Sequence, residues 1–246
     1  MSAFDQNYFR THTYARVSFA RFSQYWWSNR FYALLARRYG RRGGTLLEVG
    51  CGLGHLVGQL EGSFHTAAVD VNRHALREAR AVAPHTHLEA ASAERLPFAR
   101  GSFDLVIIKH IIEHLPRPEL AIAELGRVLR PGGVLLFSTP NLESLLRPLK
   151  GERWIGYQDP THISLKPPGA WLALLREAGG MHVMRVLADG FWDVPYIPIV
   201  PAALQKILFG APGGLQAVLG TVFLPRRWGE SMIVVARRRG AEETSG

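Results

Sequence analysis

The stretch Leu46-Leu47-Glu48-Val49-Gly50-Cys51-Gly52-Leu53-Gly54-His55-Leu56 limits the fold more than any other part of the chain. An apolar run reads as a buried strand, an acid sits near its end, and a glycine-rich turn opens a helix. Glycines at alternate positions let the backbone turn sharply and approach a ligand without Cβ atoms in the way. The spacing fails the dinucleotide fingerprint. After Gly50, Gly52 and Gly54 the next glycine is Gly58, so neither Gly50 nor Gly52 begins a G-x-G-x-x-G. A phosphate-binding P-loop fails as well, because no Gly-Lys-Ser/Thr follows. What remains is a nucleotide-like ligand without a pyrophosphate.

Strand and helix patterns alternate from Thr45 to Thr139, which predicts an α/β fold with a parallel sheet. His65 to Asp70 reads as a second strand ending in an acid, about twenty residues past the turn. An adenosine-binding α/β fold places there a carboxylate whose two oxygens match two ribose hydroxyls; an Asp capping the next helix is the alternative. His87 to Ala90 reads as the third strand and Gly101 to Ile108 as the fourth. Glu119 to Leu129 reads as a helix that stops at Arg130-Pro131-Gly132-Gly133, and Val134 to Asn141 as the fifth strand and its exit.

Several of these segments carry a family resemblance. Glu48-Val49-Gly50-Cys51-Gly52-Leu53-Gly54 resembles the first motif of class I S-adenosylmethionine (SAM)-dependent methyltransferases. Ser92-Ala93-Glu94-Arg95-Leu96-Pro97-Phe98 is similar to the family's Asp-Ala-Glu-x-Leu-Pro-Phe segment, with Ser92 where an acid is usual. Phe103-Asp104-Leu105-Val106 and Leu129-Arg130-Pro131-Gly132-Gly133 match two further patterns. The resemblance is to methyltransferases of types 11 and 23, related to quinone-biosynthesis O-methyltransferases. It implies a Rossmann-like, seven-stranded, mostly parallel sheet with helices on both faces, and SAM as the cofactor. It further implies cofactor contacts from Glu48, Gly50, Cys51, Gly52, Gly54, Asp70, Val71, Ser92, Ala93, Glu94 and Lys109.

The single cysteine, Cys51, excludes a disulfide framework and a cysteine-built zinc site, and in the glycine turn it reads as packing. A net charge of +9 invites a nucleic-acid reading. The excess is scattered arginine, such as Arg37-Arg38 and Arg226-Arg227, with no basic stripe interleaved with stacking aromatics. A basic solvated surface and an anionic partner, such as acidic lipid or a phosphate-bearing substrate, both remain open. The first ten residues lack the apolar core of a signal peptide, which predicts a cytoplasmic protein.

His110-Ile111-Ile112-Glu113-His114 literally matches the H-x-x-E-H metalloprotease motif, but it directly follows a buried strand and is broken by Pro116 and Pro118. It also resembles the Glu-x-x-Glu-His stretch of quinone-biosynthesis O-methyltransferases, which implies a divalent ion near the acceptor. His110 replaces the first glutamate, and the reading adopted is a loop without metal. His114 is the first candidate for a general base. His162, in Asp159-Pro160-Thr161-His162-Ile163, resembles an acceptor-facing histidine of a methyltransferase subset, with an Asp159–His162 structural bond as the alternative.

The expected layout is an N-terminal helical cap over residues 1–44, with a helix from about Tyr14 to Arg38. A SAM-binding core follows at 45–190, an apolar insertion or lid at 191–229, a last strand at 230–239 and a disordered tail at 240–246. The lid is broken by Pro and Gly, so it reads as lying over the sheet or on a membrane surface rather than spanning one. The predicted function is methyl transfer to an oxygen, less readily a nitrogen, of a small and apolar or lipid-like acceptor. The rivals are an inactive SAM-binding protein and a nucleic-acid methyltransferase.

Overall fold

The computed structural model describes residues 18–240. Tyr14 to Val17 and the tail from 241 lie outside them. The first helix among the described residues, α1, spans Gln24–Tyr39, while the expected start near Tyr14 lies outside them. Ser23 sets its beginning: the hydroxyl accepts the Trp26 N–H at 3.1 Å, and Phe22 before it has φ 70°.

Seven strands among the described residues form one sheet: β1 (Thr45–Val49), β2 (His65–Asp70), β3 (His87–Ala90), β4 (Phe103–Lys109), β5 (Leu129–Pro140), β6 (Met181–Ala188) and β7 (Ser231–Arg238). Their order is β3-β2-β1-β4-β5-β7-β6. The first five are parallel, and β7 enters antiparallel to both β5 and β6. The expected fold is therefore observed. β1 pairs with β2 on one side and β4 on the other. That reversal of strand order opens a crevice beyond the carboxyl ends, where such sheets bind ligands.

Central strands buried on both faces need apolar residues at successive positions, and β4 supplies Leu105-Val106-Ile107-Ile108. Alternate side chains feed two cores. Val106 and Ile108 meet Ile122 and Leu125 of α4 (Pro118–Val128) and Trp171 of α7 (Pro168–Glu177). Leu105 and Ile107 share a core with Phe31 and Leu35 of α1 and with Leu56 and Val57 of α2 (His55–Gly58). The remaining helices are α3 (Arg73–Val82), α5 (Arg147–Lys150), α6 (Ile155–Gln158) and α8 (Ala202–Leu219).

Two local expectations need correcting. The Arg130-Pro131-Gly132-Gly133 turn lies inside β5 as an irregularity: Leu129 pairs with Phe103, the register shifts, and Val134 resumes opposite Leu105. Trp154 to Ile163, whose polar and proline-broken sequence reads as loop, carries the short helix α6.

One close approach gives a stability test. A Cβ on Gly126 of α4 would lie 2.2 Å from the Gly179 carbonyl oxygen just past α7, and backbone cannot swing aside as a side chain can. Gly126→Ala is expected to lower the unfolding free energy by about 1–3 kcal/mol in urea denaturation, with the secondary structure kept.

Candidate active site

The glycine turn sits at the mouth of the crevice. Gly50, Gly52 and Gly54 have φ of 78°, 51° and 76°, a region that side-chain-bearing residues rarely enter. A Cβ on Gly50 would also come within 2.3 Å of the Ile111 side chain, so the turn packs directly on the loop after β4.

Two acids hold the turn. Oε2 of Glu48 accepts the Val57 N–H at 2.9 Å and ties α2 to the end of β1. Oδ2 of Asp70 accepts the Gly52 N–H and Oδ1 the Asn72 N–H, both at 2.8 Å. The N–H groups of Gly50 and Cys51 reach the Val69 carbonyl. Asp70 thus fastens the turn to β2, a role the sequence reading did not give it. Each of its oxygens retains lone-pair capacity toward a ligand. Burial raises the Asp70 carboxyl above its ordinary range, and the backbone N–H groups of Asn72 and Gly52 work against that rise. Burial also pushes the Cys51 thiol up, so it packs in the turn and is poorly suited to act as a nucleophile.

The remaining expected cofactor residues lie differently. Val71 is half-exposed just past β2. Ala93 is buried, and the Ser92 hydroxyl accepts the Glu94 N–H at 3.1 Å, shaping the segment. The Glu94 carboxylate is occupied by Arg117, taking its N–H and guanidinium at 2.7 to 3.0 Å. Lys109 turns inward: Nζ donates to Oδ1 of Asn29 at 2.9 Å and stands 4.9 Å from the centre of the Tyr32 ring. Burial lowers the Lys109 ammonium and raises the Glu48 carboxyl, while each charge pulls the other back. Asn29 and Tyr32 of α1 escaped the sequence reading; their only trace there was membership of an aromatic helix. Nδ2 of Asn29 is buried without a partner.

The histidines form the second half of the site. His110, directly after β4, has φ 52°, unusual for a residue with a side chain. Its Nδ1 lies 3.2 Å from Oε1 of Glu113, whose side chain is wholly buried. Burial alone would raise the Glu113 carboxyl, but the His110 hydrogen bond and the nearby imidazoles leave it below its ordinary value. Oε2 of Glu113 has no partner.

His114 and His162 meet with ring centroids 4.7 Å apart. Nδ1 of His162 lies 2.6 Å from the Gly156 carbonyl, which only accepts, so Nδ1 carries the hydrogen and Nε2 the lone pair. Nδ1 of His114 lies 2.8 Å from Oγ1 of Thr161 and 3.2 Å from its carbonyl. Since Thr161 donates its own hydroxyl to Asp159 at 2.5 Å, it can only accept from the imidazole, so Nδ1 of His114 is also the N–H. The Asp159–His162 structural bond is present as a backbone turn bond, the His162 N–H donating to the Asp159 carbonyl at 3.1 Å, while the Asp159 carboxylate joins an Asp159–Thr161–His114 chain. Desolvation lowers the His114 pKa below its ordinary 6.5, favouring the neutral ring.

Glu113, His114 and His162 each offer a donor atom within 4.8 Å of the others. The divalent ion implied by the family resemblance can be tested against this set. Two imidazoles and a carboxylate with an orphaned buried oxygen suit a borderline ion such as Zn²⁺. They do not suit Mg²⁺, which takes oxygen ligands.

Residues 47–137 match a family described as the methyltransferase domain. A malonyl-[acyl-carrier protein] O-methyltransferase of Enterobacter lignolyticus is 34% identical over 133 residues, covering 54% of this chain and 52% of that protein. A ubiquinone biosynthesis O-methyltransferase of Sodalis glossinidius is 28% identical over 203 residues, covering 79% of this chain and 70% of that protein. The chain spans about half the length of the malonyl-[acyl-carrier protein] O-methyltransferases it matches. An S-adenosylmethionine-dependent methyltransferase structure from Mesorhizobium loti superimposes with a TM-score of 0.59 at 20% identity, over 85% of this chain and 98% of that one, a likeness of fold. Residues 47–137 thus carry a methyltransferase domain, set in a fold shared with solved SAM-dependent methyltransferases.

Proposed function

We propose that this protein methylates an oxygen of a small, apolar or lipid-like acceptor, with His114 taking the acceptor's proton and His162 beside it. The observation that carries this reading is the imidazole pair: both Nδ1–H groups are committed to accepting oxygens, so both rings keep the Nε2 lone pair. The loop bearing His114 packs on the glycine turn through Ile111 and Gly50, which sets the base beside the cofactor crevice. SAM, when bound, supplies an electrophilic methyl on a sulfonium that leaves as a neutral thioether. The turn from Gly50 to Gly54 makes room for the amino-acid end of this donor, and the free lone pairs of Asp70 take its ribose hydroxyls. His114 accepts the hydroxyl proton at Nε2 as the acceptor oxygen forms its bond to carbon, leaving an imidazolium beside the ionised Glu113. The relatives named as O-methyltransferases support oxygen over nitrogen. The aromatic α1 and the apolar segment after Phe191 support an acceptor of low polarity.

The orphaned Oε2 of Glu113 favours one second reading, in which an ion held by Glu113, His114 and His162 lowers the pKa of the acceptor hydroxyl. Calorimetric titration with Zn²⁺ separates the two. Stoichiometric binding weakened at least tenfold in both Glu113→Gln and His162→Ala supports the ion, and no heat of binding leaves the base alone.

In calorimetry with SAM, Asp70→Ala and Gly52→Val are each expected to abolish binding in a folded protein; full affinity in either contradicts the cofactor site. His114→Ala should keep SAM affinity while lowering kcat by about 10²–10⁴ on any phenolic or alcoholic acceptor the wild type methylates. The base works as the neutral ring, and its pKa is depressed, so wild-type kcat should hold as pH falls to 6.5 and decline only below it. The same limb should be missing in His114→Ala.

A further inference from the structure

The helix α8, Ala202–Leu219, is built inside out. Its two glutamines point inward. Oε1 of Gln205 accepts the N–H groups of Tyr196 and Ile197, and its Nε2 donates to the carbonyls of Ile197 and Val200, all within 3.0 Å. Oε1 of Gln216 accepts the N–H groups of Phe223 and Leu224 at 2.7 Å, and Nε2 donates to the Ala188 carbonyl at 3.0 Å. Both side chains are fully buried. The outward positions carry Leu204, Ile207, Leu208, Leu215, Val218 and Leu219, spaced three and four apart along one face, with Ile207 67% and Val218 61% exposed. A helix bathed in water would gain by the opposite arrangement. Ile199, 92% exposed, and Phe223 and Trp228 extend the same region, and half of the exposed large apolar side chains of the described residues fall between Trp192 and Trp228.

Charge says what this face meets. From Val194 to Gly229 the chain contains no Asp or Glu, and its only ionic residues are Lys206, Arg226 and Arg227. Lys206 lies on α8 beside Ile207, and Arg226 is anchored to Glu143 at 2.9 Å. Below the helix an apolar cavity of about 180 Å³, lined by residues including Leu146, Phe191, Leu208, Phe209 and Trp228, has room for a short run of alkyl chain. Among the described residues no helix is long and apolar enough to cross a membrane. The segment is tied to the carboxyl edge of the sheet, where Nδ2 of Asn141 donates to the carbonyls of Arg226 and Gly229.

We propose that the outer face of α8, with Ile199, Phe223 and Trp228, beds into the surface of a bilayer containing anionic lipids, its cations at the headgroups and the cavity open to an acyl chain. Apolar area supplies the attachment and Lys206 with Arg227 the preference for negative charge. This surface stands independently of the methyl-transfer reading, since its test needs no turnover.

The test is sedimentation of the full chain with vesicles of phosphatidylcholine, with and without phosphatidylglycerol. The wild type should pellet with the anionic vesicles at least tenfold more tightly than with the neutral ones, and lose that preference in high salt. Ile207→Glu combined with Leu215→Glu should remove binding, while Lys206→Glu combined with Arg227→Glu should remove the anionic preference, each with wild-type circular dichroism and SAM affinity. The cation pair tests the proposal even if the apolar pair does not fold. The proposal fails if the wild type stays in the supernatant with anionic vesicles, or if folded variants pellet as it does. It fails equally if light scattering shows a dimer that the apolar variant dissociates while neither protein binds vesicles, because the face would then join two copies of this chain.

Discussion

The site depends first on the buried carboxylate of Asp70. Three glycines at positive φ leave the turn few side chains of its own to hold it, and its conformational entropy must be offset largely from outside. Asp70 does this from the end of the neighbouring strand, joining Gly52 to Asn72 through one side chain. Glu48 does the same for the helix behind the turn. A carboxylate accepting backbone N–H groups in a buried place makes a stronger hydrogen bond than a neutral acceptor could. The backbone is thereby fixed before any ligand arrives, and the groups that hold it stand at the crevice rim.

The histidine half of the site is oriented in a similar way. The Asp159 carboxylate accepts a hydrogen bond from the Thr161 hydroxyl, and that fixes which nitrogen of His114 carries hydrogen. The Gly156 carbonyl does the equivalent for His162. Tautomers in solution interconvert freely; here each ring is held in the form that presents a lone pair at Nε2. Burial then lowers the His114 pKa, so the ring stays neutral at physiological pH. The orientation arises from the segment around residues 156–162, far along the chain from His114.

The outer part of the molecule follows a different rule. In α8 the polar side chains bond to the loop backbone on either side, at Tyr196 to Val200 and at Phe223 to Leu224, where they satisfy backbone groups that are buried or partly buried. Meeting that demand from within leaves the apolar side chains facing out. Glu230 reinforces the arrangement, accepting from the Trp154 indole N–H and the Tyr196 hydroxyl.

Much of the fold was legible in the chain because strand burial and glycine turns leave direct marks on composition. The runs Leu46 to Val49 and Leu105 to Ile108, the acid at Asp70 and the glycine turn located the crevice without coordinates. Boundaries were less legible where a single side chain decides them: Ser23 begins α1 inside the span expected to be helical from about Tyr14, and β5 absorbs a Pro-Gly-Gly irregularity because Leu129 already pairs with Phe103. What the sequence by itself determined was the presence of the sheet, the turn and the candidate histidines, since these follow from local patterns of size and polarity. Only the tertiary structure decided that Lys109 points inward, that Arg117 occupies Glu94, that Thr161 orients His114 and that Gln205 and Gln216 face the core. Those outcomes depend on which groups meet across many residues of chain, and the periodicity of a single segment holds no record of its partners.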